Sequence, residues 1–286
     1  MNILSRAIPI TVLVFVVSSM LGVGLALTVN QILAPLRNLR VVSLALLANF
    51  VLMPLGAFAI ARLLRLDEPL GVALLLLGTA AGAPFLPLLA RISKGNLAFA
   101  VGLMVLLMVV TVAYMSLVLP LLLKGVAVDP IKIARSLVFL MLIPLAIGLL
   151  VKARLSGTAA KTQPLLNKLS TLSLALLITL LLITNMQNVL NLFGTRGVLA
   201  SILFIAVGCV LGWILGGPGS DTKNVLSLGT AQRNIAAALV VGGQNFDDPN
   251  VLVMVVVVAV VGLLILMPLA RLMGTRNASQ EARASQ

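Results

Sequence analysis

The chain has 286 residues, of which 61% are hydrophobic and only 9% charged, with a net charge of +13. About a quarter of a soluble domain is charged, so this composition excludes a water-covered globule and predicts an all-α polytopic membrane protein. One cysteine, no histidine and seven acids confined to turns and the tail leave no metal cluster, carboxylate dyad or histidine triad for the spans, so neither an enzyme nor a metal cofactor is expected.

Apolar runs of about 20 residues predict nine spans, at 8–28, 41–64, 69–90, 97–123, 132–152, 165–189, 197–216, 222–242 and 249–273. The first resembles a signal peptide with Arg6 in front of it. It is longer than a typical apolar signal core, and no soluble domain follows Ser18-Ser19-Met20, so it reads as a retained span. The first four spans and the fifth occupy 1–152. A basic, polar linker covers 153–164, the remaining four spans 165–274, and a polar tail, expected to be disordered, 275–286.

The turns alternate in charge. Seven Lys and Arg, among them Arg62, Arg65 and Lys132, fall on the N-terminal side. Twelve fall on the other side, among them Arg91, Lys152 and Arg271. Basic residues concentrate in cytoplasmic loops, so the N-terminus is expected outside and the C-terminus in the cytoplasm, in a cell membrane of bacterial inner-membrane type. The aromatics are few and do not interleave with the basic residues, so nucleic acid is not an expected partner; the lipid bilayer is. Monomer and homodimer both stay open.

Leu77-Gly78-Thr79-Ala80 in span 3 returns as Leu228-Gly229-Thr230-Ala231 in span 8. Five spans apart means opposite orientation, so the echo predicts an inverted repeat, an architecture of secondary transporters. Leu119-Pro120-Leu121 and Met267-Pro268-Leu269 form a weaker second pair. A complete half would have five spans, so the first half, with four, is expected to be without its opening helix. Span 3 also holds Gly78, Gly82, Pro84 and Pro87. Two prolines and two glycines so close predict an unwound segment near mid-depth, with a kinked, glycine-packed helix as the alternative. Span 8 has no proline, and its break is inferred from the echo.

Two interrupted helices would aim two helix N-termini at one site, which suits an anion. The candidate site residues are Thr79, Gly82, Thr230, Gln232, Arg233 and Asn234, joined by Asn185 from span 6. Arg233 stands near the centre of span 8, where an arginine costs roughly 2.5–3.5 kcal/mol to insert, and no span carries an acid to pair with it. It could hold an anionic substrate, stand as a fixed charge where a coupling cation would sit, or be satisfied by carbonyls of a broken helix. Cys209 lies within a span and reads as a small apolar filler.

Three stretches are similar to the bile acid:sodium symporter family. Met20-Leu-Gly-Val-Gly-Leu-Ala-Leu27 resembles its Met-x-Gly-Met-Gly-Leu segment. The 78–96 stretch, ending Ala90-Arg-Ile-Ser-Lys-Gly-Asn96, resembles its Gly-rich broken helix and Ala-Arg-Gly-Asn turn, and Gly229 through Leu239 its Gly-x-Gln-Asn-x-Gly-Leu-Ala-x-Ala-Leu segment. The resemblance implies a panel domain of spans 1, 5 and 6 beside a core of spans 2–4 and 7–9, two discontinuous crossing helices, and transport of organic anions such as bile acids, sulfated steroids or small carboxylates. It also implies sodium sites, and here the chain departs. Positions that match family sodium ligands hold Leu86 and Pro87 on the first broken helix and Ser227, Ala231 and Gln232 on the second. Polar positions on the next helix become Met104, Leu107 and Met108. Sodium is therefore a doubtful partner for this chain, and proton linkage has no carboxylate or histidine to carry it. An arsenite exporter of the wider superfamily and a non-transporting membrane sensor are the alternatives.

Overall fold

The computed structural model describes residues 3–33, 37–123, 129–187 and 196–284. All regular structure among them is helical. We label the helices α1 (Ile3–Ala26), α2 (Val29–Leu33), α3 (Leu39–Leu63), α4 (Glu68–Thr79), α5 (Leu86–Ile92), α6 (Leu97–Leu122), α7 (Pro130–Arg154), α8 (Ser156–Thr184), α9 (Gly197–Leu215), α10 (Ser220–Ala231), α11 (Ile235–Asn245) and α12 (Pro249–Ala284). Eight helical stretches among the described residues are long and apolar enough to cross a membrane, with α10 and α11 counted together. The segment expected as span 3 is divided into two shorter helices, α4 and α5. Large apolar side chains such as Leu117 and Leu264, 69% and 71% exposed, cover the outer surface, as suits a protein solvated by lipid.

Local chemistry explains most boundaries. Asn38, Asn96, Asp129 and Asn234 each cap a helix by accepting from backbone N–H groups of its first turn. Pro54 and Pro144 each follow a π-helical turn, at Ala48–Leu52 in α3 and Val138–Leu142 in α7. A proline clashes with the carbonyl four residues back, and the wider turn relieves that clash without ending the helix.

The helices pack in two groups. In one, α1 lies along α7 and α8. Gly24 and Gly148 meet there so closely that a Cβ on Gly24 would lie 2.9 Å from the Gly148 Cα, which lets the two backbones touch. The other group contains α3–α6 and α9–α12, with α4 against α3 and α12, and α10 against α9. We use panel for the group of α1, α7 and α8 and core for the other. The panel is tied to the core at one end, where Lys132 Nζ donates to the Gln244 carbonyl and the Ser136 hydroxyl donates to Gln244 Oε1.

Two segments differ from expectation. The 153–164 stretch is helical from Ser156 onward, because α8 starts there and carries Pro164 within it. The polar tail is helical as far as Ala284, since the apolar helix propagates into it once nucleated. The 188–195 connection before α9 lies outside the described residues.

Candidate functional site

The centre of the core is where two interruptions meet. The α4 helix stops at Thr79 and α5 starts at Leu86; α10 stops at Ala231 and α11 starts at Ile235. Both copies of the Leu-Gly-Thr-Ala echo therefore sit at the end of the first half-helix. An unwound backbone inside a bilayer must find partners for its polar groups, and here they can be named. The Ala80 carbonyl accepts from the Asn234 N–H at 2.9 Å. The Thr111 hydroxyl on α6 accepts from the Ala81 N–H at 2.9 Å and donates to the Ala81 carbonyl at 3.0 Å. Gly82 has φ +80°, and a Cβ there would press on the backbone of Met104 and Met108. Only glycine combines that conformation with that proximity.

Arg233 is 2% exposed and faces the carbonyl ends of both first half-helices. Its Nε donates to the Leu77 carbonyl at 2.8 Å and Nη2 to the Gly78 carbonyl at 2.7 Å. Nη1 donates to Asn49 Oδ1 at 2.7 Å and to the Thr230 carbonyl at 3.1 Å, and Nη2 reaches the Asn49 carbonyl at 3.5 Å. Asn49 sits in the wide turn of α3 and donates in its turn to the Thr230 hydroxyl at 3.2 Å. Of the three readings of Arg233, satisfaction by broken-helix carbonyls is the one its contacts realise.

Beside the crossing lies a cavity of about 420 Å³. Ala83, Pro84 and Phe85 from the first break line it, as do Gln232, Arg233, Ile235 and Ala236 from the second. The panel contributes Phe15, Ser19 and Val23 on α1 and Asn167, Ser170 and Thr171 on α8, and α12 adds Val260 and Leu263. A second cavity of about 670 Å³ shares Val23, Pro84 and Asn167 with the first and extends to Arg91, Gln31 and Gln163. Among the described residues no Asp or Glu lines either cavity, and each has one arginine.

The sequence candidates divide between the crossing and its surroundings. Gln232 and Arg233 line the first cavity. Thr79 and Thr230 are fully buried, and the Thr79 hydroxyl donates to the Leu75 and Leu76 carbonyls. Asn234 is fully buried; its Oδ1 caps α11, and its Nδ2 has no hydrogen-bond partner among the described residues. Asn185 follows the end of α8, bonded to the Leu181 carbonyl and Thr184 hydroxyl, and lines neither cavity. Leu86 is buried across the crossing on Gly229, where an added Cβ would lie 2.9 Å from its Cδ2. Pro87 borders the second cavity, Ser227 donates to the Cys209 carbonyl, and Ala231 is buried against Gly208. Asn49, Thr111, Asn167, Ser170 and Thr171 were not legible as site residues, because an isolated amide or hydroxyl in an apolar span usually bonds its own helix.

The sodium bile acid symporter family model matches residues 12–192, well over half of the chain. The chain belongs to this family of transporters. The match takes in α1, the first interrupted helix and α8. The chain is also 24% identical, over 246 residues, to a probable sodium/metabolite cotransporter, BASS1, of the chloroplast of Oryza sativa subsp. japonica. That alignment covers 84% of this chain and 60% of the relative, so the chain spans about three fifths of the relative's length. Family and helices together make this a multi-pass membrane protein of a transporter family.

Proposed function

We propose that the chain is a secondary carrier of small organic anions, moving them by alternating access through the cavity at the crossing. The observation that carries this reading is the lining of that cavity. It joins both helix interruptions to the panel, holds an arginine and, among the described residues, no acid, and lies at the N-terminus of α11, where the partial positive charge of a helix favours an anion. Its volume lies within the range of small-molecule sites. Phe15, Leu174, Ile178 and Leu263 would take an apolar body, and Gln232, Asn167, Ser170 and Thr171 its polar end. A carboxylate or sulfate ester on a hydrophobic frame fits this division.

With α4 and α5 read as one interrupted span, the chain has nine, in two inverted halves. Both echo copies closing a half-helix at the crossing support that repeat. The joined cavities run toward Arg91, on the side that the basic residues mark as cytoplasmic, while the Gln244 contacts tie the other end. This is an inward-facing member of an alternating-access pair. Cys209 lies on α9 and lines neither cavity, which leaves a thiol-based arsenite reading without support.

Ligand-dependent melting of the purified full chain tests the reading, because a ligand that binds only the folded state raises its stability with concentration. Hydrophobic carboxylates should raise the melting temperature and their neutral amides should not, and Ala236→Leu, which fills the cavity, should remove the effect. Equal stabilisation by acid and amide would contradict an anion site.

A further inference from the structure

The contacts of Arg233 are unusual for a buried cation. A guanidinium has five N–H donors, and the five oxygens facing this one are all neutral: the carbonyls of Leu77, Gly78, Thr230 and Asn49, and Asn49 Oδ1. None is a carboxylate. Leu77 and Gly78 belong to the last turn of α4, and Thr230 to the last turn of α10. Both ends carry partial negative charge with carbonyls left over from the helix. Amide and carbonyl oxygens gathered at the C-terminal ends of two interrupted helices are the chemistry by which transporters of this architecture hold a monovalent cation. In this chain a side chain fills that cage, and no donor remains free to reach into the cavity.

We propose that Arg233 is a tethered cation that permanently occupies the ion site of the crossing, so that this carrier binds and moves its substrate without sodium. The inference rests on the carrier reading above. The neighbourhood fits permanent occupancy. Leu86 is buried on Gly229, and Met104, Leu107 and Met108 are buried apolar side chains on α6, so these positions add no oxygen to the five that Arg233 already uses. A tethered charge is present at a high effective concentration and needs no ion to be captured in each cycle. The mode left to such a protein is uniport or exchange. Arg233 acts on the substrate site by holding α4 against α10 and keeping the crossing positive, as a positioning residue and not a direct ligand.

The test uses the full chain and its Arg233→Ala and Arg233→Lys variants. Melting is measured without substrate in sodium, choline or low-millimolar guanidinium chloride at matched ionic strength. Wild type should melt at the same temperature in sodium and in choline. Arg233→Ala should melt several degrees lower in choline and recover saturably with guanidinium or sodium, since its emptied cage takes a free cation. A purely structural arginine would give a variant equally destabilised in every salt, and that outcome overturns the proposal. Saturable stabilisation of wild type by sodium overturns it as well. If Arg233→Ala does not fold, Arg233→Lys decides: it keeps the charge, so its melting should be indifferent to sodium, and a saturable sodium response would overturn the proposal. Anion exchange by wild-type vesicles should be equal in sodium and choline. Absence of exchange in every salt would count against the carrier reading while leaving the melting result to judge the cation site.

Discussion

The Asn234 N–H donates to the Ala80 carbonyl across 2.9 Å, so each helix interruption supplies a partner for the other. Neither break is self-sufficient. The first leaves carbonyls that Asn234 and Arg233 fill, and the second is opened by residues that reach back to α4. The two form one unit whose loss at any member should be felt at the rest.

Thr111 is the sharpest probe of that unit, because its hydroxyl serves both backbone groups of Ala81. Thr111→Val keeps the shape and strands both groups, which should cost about 1–3 kcal/mol and lower the melting temperature in detergent. Thr111→Ser keeps the hydroxyl and should stay close to wild type.

Asn49→Leu removes the 2.7 Å acceptor of Arg233 Nη1 and the donor to Thr230. A hydrogen bond to a charged group is worth roughly 1.5–3 kcal/mol, and a loss of that order should appear as lower stability and reduced transport together. Wild-type stability in this variant would mean that Arg233 does not depend on α3.

Gly82→Ala would place a side chain in left-handed backbone, at about 1–2 kcal/mol, against the backbone of Met104 and Met108. The variant should fold poorly or move α6 away from the crossing. A variant that melts like wild type would contradict the described path of the first break.

Much of this was legible in the chain. Pro84, Pro87 and Gly82 announced the first interruption because, clustered together, they leave backbone donors missing and favour non-helical conformations; Pro87 itself falls in the first turn of α5, where a proline is tolerated. The second has no such residue between Ala231 and Ile235 and was visible only through the echo, since tertiary partners open it: the Ala80 carbonyl, the α4 carbonyls and the Asn234 cap. The depth of Arg233 marked it as a candidate, yet its partner Asn49 could not be read, because it owes its placement to the wide turn before Pro54; the bond of Thr111 to Ala81 depends likewise on the approach of α6. The panel side of the cavity was missed for a similar reason. Asn167, Ser170 and Thr171 lie at the start of an apolar run and resemble an ordinary polar helix entry.

Gln244 holds the panel to the core through Lys132 and Ser136. Gln244→Ala should loosen that end and raise the population of the opposite-facing state. In a Cys209→Ser background, a cysteine placed at Ile133, which is buried beside these contacts and takes no part in them, should react faster with an impermeant thiol reagent after the substitution removes the Ser136 contact. An unchanged rate would mean that these contacts do not hold the closed end.

The central claim is that an anion crosses the membrane through the cavity where the two interrupted helices meet. Counterflow in sealed proteoliposomes tests it most directly: vesicles loaded with an unlabelled hydrophobic carboxylate are diluted into a trace of the labelled compound. The expected result is transient accumulation of label in wild-type vesicles and none in Ala236→Leu vesicles whose protein is equally abundant and folded. Accumulation that survives Ala236→Leu, or ligand binding by the wild type with no movement of label for any anion that binds, would contradict the account.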